Sequence, residues 1–188
     1  MQLDDRSELT ADAVVASTGP RSDLAQWLGP HGVDVPEILT PTGITYLTRF
    51  YRLCPGQTRP GGIVQTARRR AGVSYSCVPA DNGTFSITLA AESGDAELRR
   101  HLLEPARFEA VCRLLPGIHQ LTDLGFATPM TDVQAMGGLI NRMRSFVDGD
   151  GRPRPPGFHA LGDAHATTNP LYGRGCSLAM VQAVLLRD

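Results

Sequence analysis

The segment from residue 162 to residue 175 reads GDAHATTNPLYGRG and is the most informative stretch of the chain. It follows a short apolar run and precedes a longer one at residues 178–186, which predicts a strand, a loop and then a helix. Asp163 comes where the strand ends, a position from which carboxylates bind ligands in open α/β sheets. Gly173 and Gly175 let a flat ligand approach the backbone, and the N–H groups at a helix start suit an anion. From the residues alone, this segment is either a ligand-binding loop or a connection whose glycines serve packing.

The beginning of the chain has the same α/β character. Residues 13–16 form a short apolar run that ends at Gly19, which predicts a buried strand. Residues 2–15 are expected to form a hairpin around a polar turn, with the apolar run as its last part. Residues 22–28 are expected to form one or two helical turns with Ser22 as the N-cap.

The middle of the chain changes to antiparallel patterns. Residues 44–51 alternate as a strand does, and Asn82-Gly83 between two β-rich runs predicts a hairpin. Residues 95–115 have helical spacing, with a second helix opening at Pro105. Residues 118–127 are expected to form a strand. Residues 132–147 carry apolar residues at helical spacing, but two consecutive glycines weaken a helix there.

These patterns predict an α/β (α+β) fold with two parts. Residues 1–40 and 128–188 would form a partial α/β layer from the two ends of the chain. Residues 41–127 would form an antiparallel β-sheet with helices, inserted between them.

Composition excludes several function classes. The chain has 188 residues, 41% of them hydrophobic, and a net charge of −1, so it has no basic footprint for nucleic acid. No apolar run reaches the ~18 residues that a membrane-spanning helix needs, and the polar start does not fit a signal peptide, which favours the cytoplasm. All basic residues are arginines, so no lysine-dependent chemistry is available. The four cysteines and five histidines lack metal-ligand spacing, so no metal site is expected.

The segment at residues 162–175 resembles a motif of a known protein family. Gly162-Asp163, then Pro170 and Gly173-x-Gly175 opening a helix, resemble the second flavin-binding motif of FAD-dependent oxidoreductases. The family is the superfamily of para-hydroxybenzoate-hydroxylase-like monooxygenases, geranylgeranyl-reductase-like enzymes and flavin halogenases.

A second segment resembles the same family. Residues 13–22 read AVVASTGPRS and are similar to its earlier motif, in which a strand ends in a Thr-Gly turn followed by a serine. The two motifs stand in the family's order, and the family carries an antiparallel substrate-domain sheet between them. The resemblance therefore implies a partial FAD-binding domain at residues 1–40 and 128–188 and a substrate domain at 41–127.

The resemblance implies roles for individual residues. Asp163 would accept a hydrogen bond from a ribityl hydroxyl of FAD. Pro170 and the backbone near Gly173, Arg174 and Gly175 would face the pyrimidine side of the isoalloxazine, where a helix N-terminus stabilises negative charge on the reduced ring.

Two more glycines complete this cofactor-binding set. Gly162 would stand beside the ribityl-binding carboxylate, and Gly19 would lie near the pyrophosphate or the route of the nicotinamide. No side chain is assigned as catalytic. The implied activity is an NAD(P)H-linked monooxygenase or hydroxylase acting on a small organic molecule, aromatic or polyketide-like.

The sequence also departs from the family. Its glycine-rich GxGxxG turn is absent, and Ala16 stands where many members carry Asp. We therefore expect a fragment, the middle and C-terminal half of a larger flavoenzyme. Two alternatives stay open: a non-catalytic remnant of a flavoprotein, and a stand-alone module that binds a small anion through the loop at 169–175.

Overall fold

The computed structural model describes residues 5–58, 64–70, 72–170 and 173–187, with residues 64–70 described by their backbone only. The chain forms two compact units. The outer unit joins the residues up to Thr42 with those from Ile140 onward, and the central unit runs from Gly43 to Leu139. The mixed α/β fold class predicted from the sequence is confirmed.

Along the chain, the strands are β1 (Val14–Ala16), β2 (Glu37–Pro41), β3 (Ile44–Leu53), β4 (Val64–Arg70), β5 (Val73–Pro79), β6 (Thr84–Glu92), β7 (Ala127–Pro129), β8 (Gln134–Met136), β9 (Ile140–Arg144), β10 (Phe158–Ala160) and β11 (Ala166–Thr167). The helices are α1 (Leu24–Leu28), α2 (Ala96–Leu102), α3 (Pro105–Arg113) and α4 (Arg174–Arg187). Short 3₁₀ turns cover Gly29–His31 and Gly162–Ala164.

The central unit is an antiparallel sheet in the order β4-β5-β6-β3-β7, with β8 also paired to β3. The turn between β5 and β6 contains Asn82 at φ 56° and Gly83 at φ 67°, which confirms the predicted hairpin. Helices α2 and α3 follow β6 as predicted, with Pro105 in the first turn of α3. The core contains side chains from alternate positions of β3, β5 and β6 and from both helices: Leu47, Tyr51, Val73, Tyr75, Cys77, Phe85, Ile87, Leu89, Leu102, Phe108 and Cys112.

Three sequence interpretations differ from the structure in or next to the central unit. Residues 118–127 were expected to form a strand, but successive turns run up to Phe126 and only Ala127 enters β7. Ile118 and Leu121 are both buried because a turn brings side chains three positions apart to the same side. The apolar pattern at 132–147 belongs to the strands β8 and β9, with the two glycines between them. Residues 128–139 were grouped with the outer segments, whereas β7 and β8 pair with β3.

The outer unit contains two small sheets. Strand β1 pairs in parallel with β10, so that Val14 stands opposite Phe158 and Ala16 opposite Ala160. Strand β9 lies between β2 and β11, and both pairings are antiparallel. A small apolar cluster around Ala16, Leu24 and Ala164 packs where β1 and β10 end.

Three details of the outer unit differ from expectation. Of the predicted hairpin at 2–15, residues 2–4 lie outside the described residues, and the final apolar run forms β1, whose partner is the distant β10. Ser22 does not cap α1, since its hydroxyl donates to the carbonyl of Gly19 at 2.8 Å. The apolar run at 178–186 is typical of a buried helix, but α4 has no fully buried residue, and Met180 is 70% exposed.

Candidate functional site

The turn at Gly162–Ala164 follows directly from β10 and presents Asp163 at its centre. The N–H of Gly162 donates to Oε1 of Gln182 on α4 at 2.7 Å, which ties the start of the turn to the helix. Among the described residues, no group donates a hydrogen bond to the Asp163 carboxylate, which is only partly buried. This carboxylate can therefore accept a hydrogen bond from a ligand hydroxyl.

The first turn of α4 lies close to Asp163. A Cβ placed on Gly175 would stand 3.8 Å from Oδ1 of Asp163 and 3.8 Å from the hydroxyl oxygen of Thr168. A Cβ placed on Gly173 would meet no atom of the described residues within 4 Å. In the described part of the chain, the backbone at Gly173 therefore borders open space, and a ligand can approach it there. The partial positive charge of a helix N-terminus also favours a ligand that gains negative charge on reduction.

Pro170 and Gly173 belong to the turn that leads into α4. The N–H of Gly173 donates to the carbonyl of Pro170 at 3.0 Å, and the N–H of Asn169 donates to Oδ1 of Asn141 at 2.7 Å. Arg174 is the first residue of α4 and is exposed. Before α4, Asn169 is thus bound to β9, and Gly173 is bound to Pro170 within the turn.

Gly19 lies in a different turn, between β1 and α1. The hydroxyl of Ser22 donates to its carbonyl at 2.8 Å, which closes the turn over three residues. A Cβ on Gly19 would meet nothing within 4 Å, so its backbone also borders open space.

The buried guanidinium of Arg144 connects the two turns. Its Nη1 donates to the carbonyl of Ala164 at 2.8 Å and to the hydroxyl of Ser22 at 3.2 Å, and its Nη2 donates to the carbonyl of Ser22 at 3.0 Å. Its Nε donates to Oε1 of Glu37 at 2.7 Å, which balances the charge. The backbone N–H of Arg144 donates to the carbonyl of His165 at 3.0 Å.

Comparison with solved structures finds a similar fold in flavoproteins. The chain matches HpxO from Klebsiella pneumoniae, solved with FAD and uric acid, with a TM-score of 0.61 and 19% identity, over 98% of this chain and 44% of that one. It matches BrvH, a flavin-dependent halogenase from Brevundimonas sp. BAL3, with a TM-score of 0.61 and 15% identity, over 99% and 32% of the two chains. It matches the flavin-dependent brominase Bmp2 with a TM-score of 0.56 and 16% identity, over 91% and 40%.

The chain has the fold of flavin-dependent halogenases and related FAD flavoproteins. It spans less than half the length of each of these neighbours. Comparisons with protein-family models and with curated proteins gave no match. The resemblance read from the two sequence motifs is confirmed as a resemblance of fold.

Within this flavoprotein fold, the seven residues predicted to bind the cofactor fall into two groups. Gly162, Asp163 and Gly175 come together at the start of α4, and Pro170, Gly173 and Arg174 lie in the segment leading into it. Gly19 belongs to the other turn, which Arg144 ties to the Asp163 turn through Ser22 and Ala164. Their role toward FAD stays a prediction.

The sequence patterns assigned no role to Arg144 or to Gln182. The weak signal for Arg144 was its place at the end of a strand that alternates Arg142, Met143 and Arg144. Periodicity does not indicate which of two such arginines is buried. The structure shows that Arg144 is 2% exposed, whereas the side chain of Arg142 is 26% exposed.

The outer unit has two cavities, of which the first adjoins the Asp163 turn at Leu161 and His165. One of about 810 Å³ is lined by Phe146, His165, Gln182 and other residues of β9, β10 and α4. One of about 650 Å³ is lined by Val15, Trp27 and neighbours. In the described part of the chain, neither cavity is lined by any of the seven predicted residues.

Two further searches of the described residues gave no site. No group of three or more His, Cys, Asp or Glu side chains there is placed to hold a metal ion. No helix among them is long and apolar enough to cross a membrane.

Proposed function

We propose that this chain forms the flavin-ring half of an FAD site in an NAD(P)H-linked oxidoreductase, a monooxygenase or hydroxylase acting on a small organic molecule. The observation that carries the proposal is the carboxylate of Asp163, which accepts no hydrogen bond from a described residue and lies beside the glycine-containing first turn of α4. The fold shared with FAD flavoproteins supports it.

The residues at this site would act on the cofactor by binding and charge. Asp163 would accept a hydrogen bond from a ribityl hydroxyl. The backbone of Gly173, Arg174 and Gly175, with Pro170, would lie along the pyrimidine side of the ring. Gly19 would approach the pyrophosphate or nicotinamide side, and Gly162 would hold the Asp163 turn against α4. A bound flavin supplies hydride and oxygen chemistry that side chains lack.

The N-terminus of α4 would contribute to the redox step. A helix N-terminus favours nearby negative charge by roughly 0.3–1 kcal/mol at exposed sites and up to about 2 kcal/mol where partly buried. The reduced flavin ring is more negative than the oxidised ring, so this charge would raise its reduction potential. The chain's own part is thus to bind the ring, orient it and stabilise its reduced form.

The central unit would bind the organic substrate. One face of its sheet is covered by α2 and α3, and Tyr51, stacked on Phe85 at 5.3 Å, belongs to that covered face. The opposite face carries Phe50, which is 40% exposed, and the hydrogen-bonded pair Thr48 and Thr88. An aromatic side chain beside hydroxyl groups suits a small aromatic molecule with polar substituents.

A flavin titration tests the cofactor proposal. The purified chain is titrated with FMN and FAD, and binding is followed by quenching of flavin fluorescence. FMN is expected to bind, because the proposed contacts are to the ring and the ribityl chain. Asp163→Asn is expected to weaken binding about tenfold, as for a lost hydrogen bond to a charged group. Asp150→Asn, in an exposed loop, is the matched control.

Two results would overturn this proposal. If neither flavin binds at millimolar concentration, the chain does not hold a flavin. If inorganic phosphate alone perturbs the first-turn amides of α4 while FMN does not, the segment is an anion-binding module. A parallel titration with phosphate separates these outcomes.

A further inference from the structure

Arg144 places a positive charge inside the outer unit, where its side chain is almost entirely shielded from solvent. It is 2% exposed, and every nitrogen of its guanidinium donates a hydrogen bond to a described residue. Burying a charge is unfavourable unless it is paired and hydrogen-bonded. The ion pair with Glu37 meets that requirement. The remaining hydrogen bonds of the guanidinium can therefore serve to hold backbone segments in place.

Those other partners lie in the two turns that the sequence motifs identify. One arm of the guanidinium reaches the carbonyl of Ala164, directly after Asp163. The other reaches the carbonyl of Ser22, and the hydroxyl of Ser22 continues to the carbonyl of Gly19. A single side chain therefore links backbone segments that stand more than 120 positions apart in the sequence.

The backbone of the same residue adds a further contact. The N–H of Arg144 donates to the carbonyl of His165, so the turn at Gly162–Ala164 is held on its far side as well. A planar fork with several donors suits this arrangement, because its hydrogen bonds have fixed directions relative to one another. A lysine ammonium also has three donors, but they all start from one nitrogen, so they cannot replace bonds made from three separate nitrogens of the guanidinium.

We propose that Arg144 is the positioning residue of the flavin site: it sets the Gly19 turn and the Asp163 turn at a fixed separation, and Ser22 relays that restraint to Gly19. This inference rests on the proposed function. Arg144 does not touch the flavin; it acts through the carbonyls of Ser22 and Ala164. Its effect is therefore on affinity and on the coupled position of the two turns.

The test uses the full chain, FMN as the probe and three conservative variants. Arg144→Lys keeps the charge near Glu37 but loses the fork. Ser22→Ala removes only the hydroxyl that reaches Gly19, and Ser22→Thr keeps it. Ser145→Ala is the matched control, because Ser145 is the next residue after Arg144 and its hydroxyl makes no hydrogen bond to a described residue.

Arg144→Lys and Ser22→Ala are each expected to weaken FMN binding about tenfold, the size of a lost hydrogen bond in a network. Ser22→Thr and Ser145→Ala are expected to bind FMN as the wild type does. In flavin-free protein, the amide NMR signals of Gly19 and His165 should shift together in Arg144→Lys. A purely structural role would lower stability without this joint shift and without the rescue by threonine.

The outcomes separate the two proposals. If the wild type binds FMN and both Arg144→Lys and Ser22→Ala bind it equally well, Arg144 is not a positioning residue and the flavin site stands. If the wild type does not bind FMN, the proposed function fails and this inference fails with it. If Ser145→Ala weakens binding as much as Ser22→Ala, the effect is not specific to the relay, and the inference is overturned.

Discussion

The side-chain nitrogen of Gln182 lies 2.9 Å from Nδ1 of His165. The oxygen of the same amide accepts the N–H of Gly162, so the nitrogen faces the histidine ring. An amide nitrogen donates, so Nδ1 is the acceptor in this contact. Helix α4 thereby contacts both the start of the Asp163 turn and the residue that follows the turn.

This relationship predicts the result of Gln182→Glu. The carboxylate still accepts from Gly162 but now presents an acceptor to His165, so the ring must donate from Nδ1. Ring ¹⁵N chemical shifts should show Nδ1 changing from acceptor to donor. Gln182→Met, which has neither group, should leave the ring free to exchange between forms and destabilise the outer unit by about 1–2 kcal/mol. Unchanged ring shifts in Gln182→Glu would contradict the hydrogen-bond assignment.

A pair of glycines tests the parallel pairing of β1 and β10. Gly151 and Gly157 both have φ +77°, but a Cβ on Gly157 would stand 2.6 Å from the carbonyl oxygen of Asp12, whereas one on Gly151 would meet nothing within 4 Å. Gly151→Ala should lower the free energy of unfolding by about 1 kcal/mol, which is the cost of placing a side chain on a residue with positive φ. Gly157→Ala should cost about 3 kcal/mol or more, because the backbone of β1 must move.

The measurement is urea unfolding followed by tryptophan fluorescence. Trp27 is the single tryptophan of the chain and belongs to the outer unit, so it reports on that unit. Equal losses of stability in the two alanine variants would show that Gly157 does not approach Asp12.

The pairing of Arg49 with Glu109 predicts that two glutamate-to-glutamine variants differ in stability. Arg49 is 8% exposed; its Nη1 pairs with Glu109, and its Nε donates to the carbonyl of Thr131 at 2.8 Å. Glu109→Gln should destabilise the central unit by about 2–4 kcal/mol, because it leaves a buried guanidinium without its counter-charge. Glu104→Gln is the control: its partner Arg107 is half exposed, so the change should cost less than about 1 kcal/mol. Thermal unfolding of both variants measures the difference, and similar losses would refute the buried-pair interpretation.

The two buried thiols of the central unit predict its behaviour in alkali. Burial raises the pKa of Cys77 from 9.0 to about 11 and that of Cys112 from 9.0 to about 12. A pKa raised on folding gives stability that is complete below pH 9 and is lost as the pH rises through 11 and 12. At about 1.4 kcal/mol per pKa unit, Cys77 alone accounts for roughly 2–3 kcal/mol of that loss.

Replacing Cys77 by alanine should remove part of this pH dependence while lowering stability at pH 7. Cys176→Ser is the control, since Cys176 is exposed and should leave the alkaline slope unchanged. Urea unfolding between pH 7 and 11 gives the slope. The same slope in wild type and Cys77→Ala would show that this thiol is not the titrating group.

Local sequence signals predicted the central unit well where they act over a few residues. The hairpin at Asn82-Gly83 and the helix opening at Pro105 depend on backbone preferences of those residues themselves. The strand expected at 118–127 was wrong because apolar residues three apart, such as Ile118 and Leu121, also fit a series of turns. Only the surrounding helices and strands decide between the two.

The candidate site was predictable in part, because some of its residues carry a local sequence signal. The glycines and Asp163 stand in a recognisable order, so the sequence identifies them. The hydrogen bonds of Arg144 depend on three segments that meet only in the folded chain. Ser22 shows the difference most clearly: its type and position suit a helix cap, yet its hydroxyl binds the Gly19 carbonyl and receives the Arg144 guanidinium.

The parallel pairing of Val14 with Phe158 has a consequence for the order in which the molecule forms during synthesis. The central unit is one continuous segment, so its strands and helices are close to one another in the sequence. Strand β1, by contrast, emerges from the ribosome long before its partner exists, and closing so long a loop early carries an entropy cost that no local contact offsets. The turns at Gly19 and Asp163 should therefore become ordered late, and ribosome-bound chains halted before residue 158 should contain a folded central unit and an unstructured N-terminal arm.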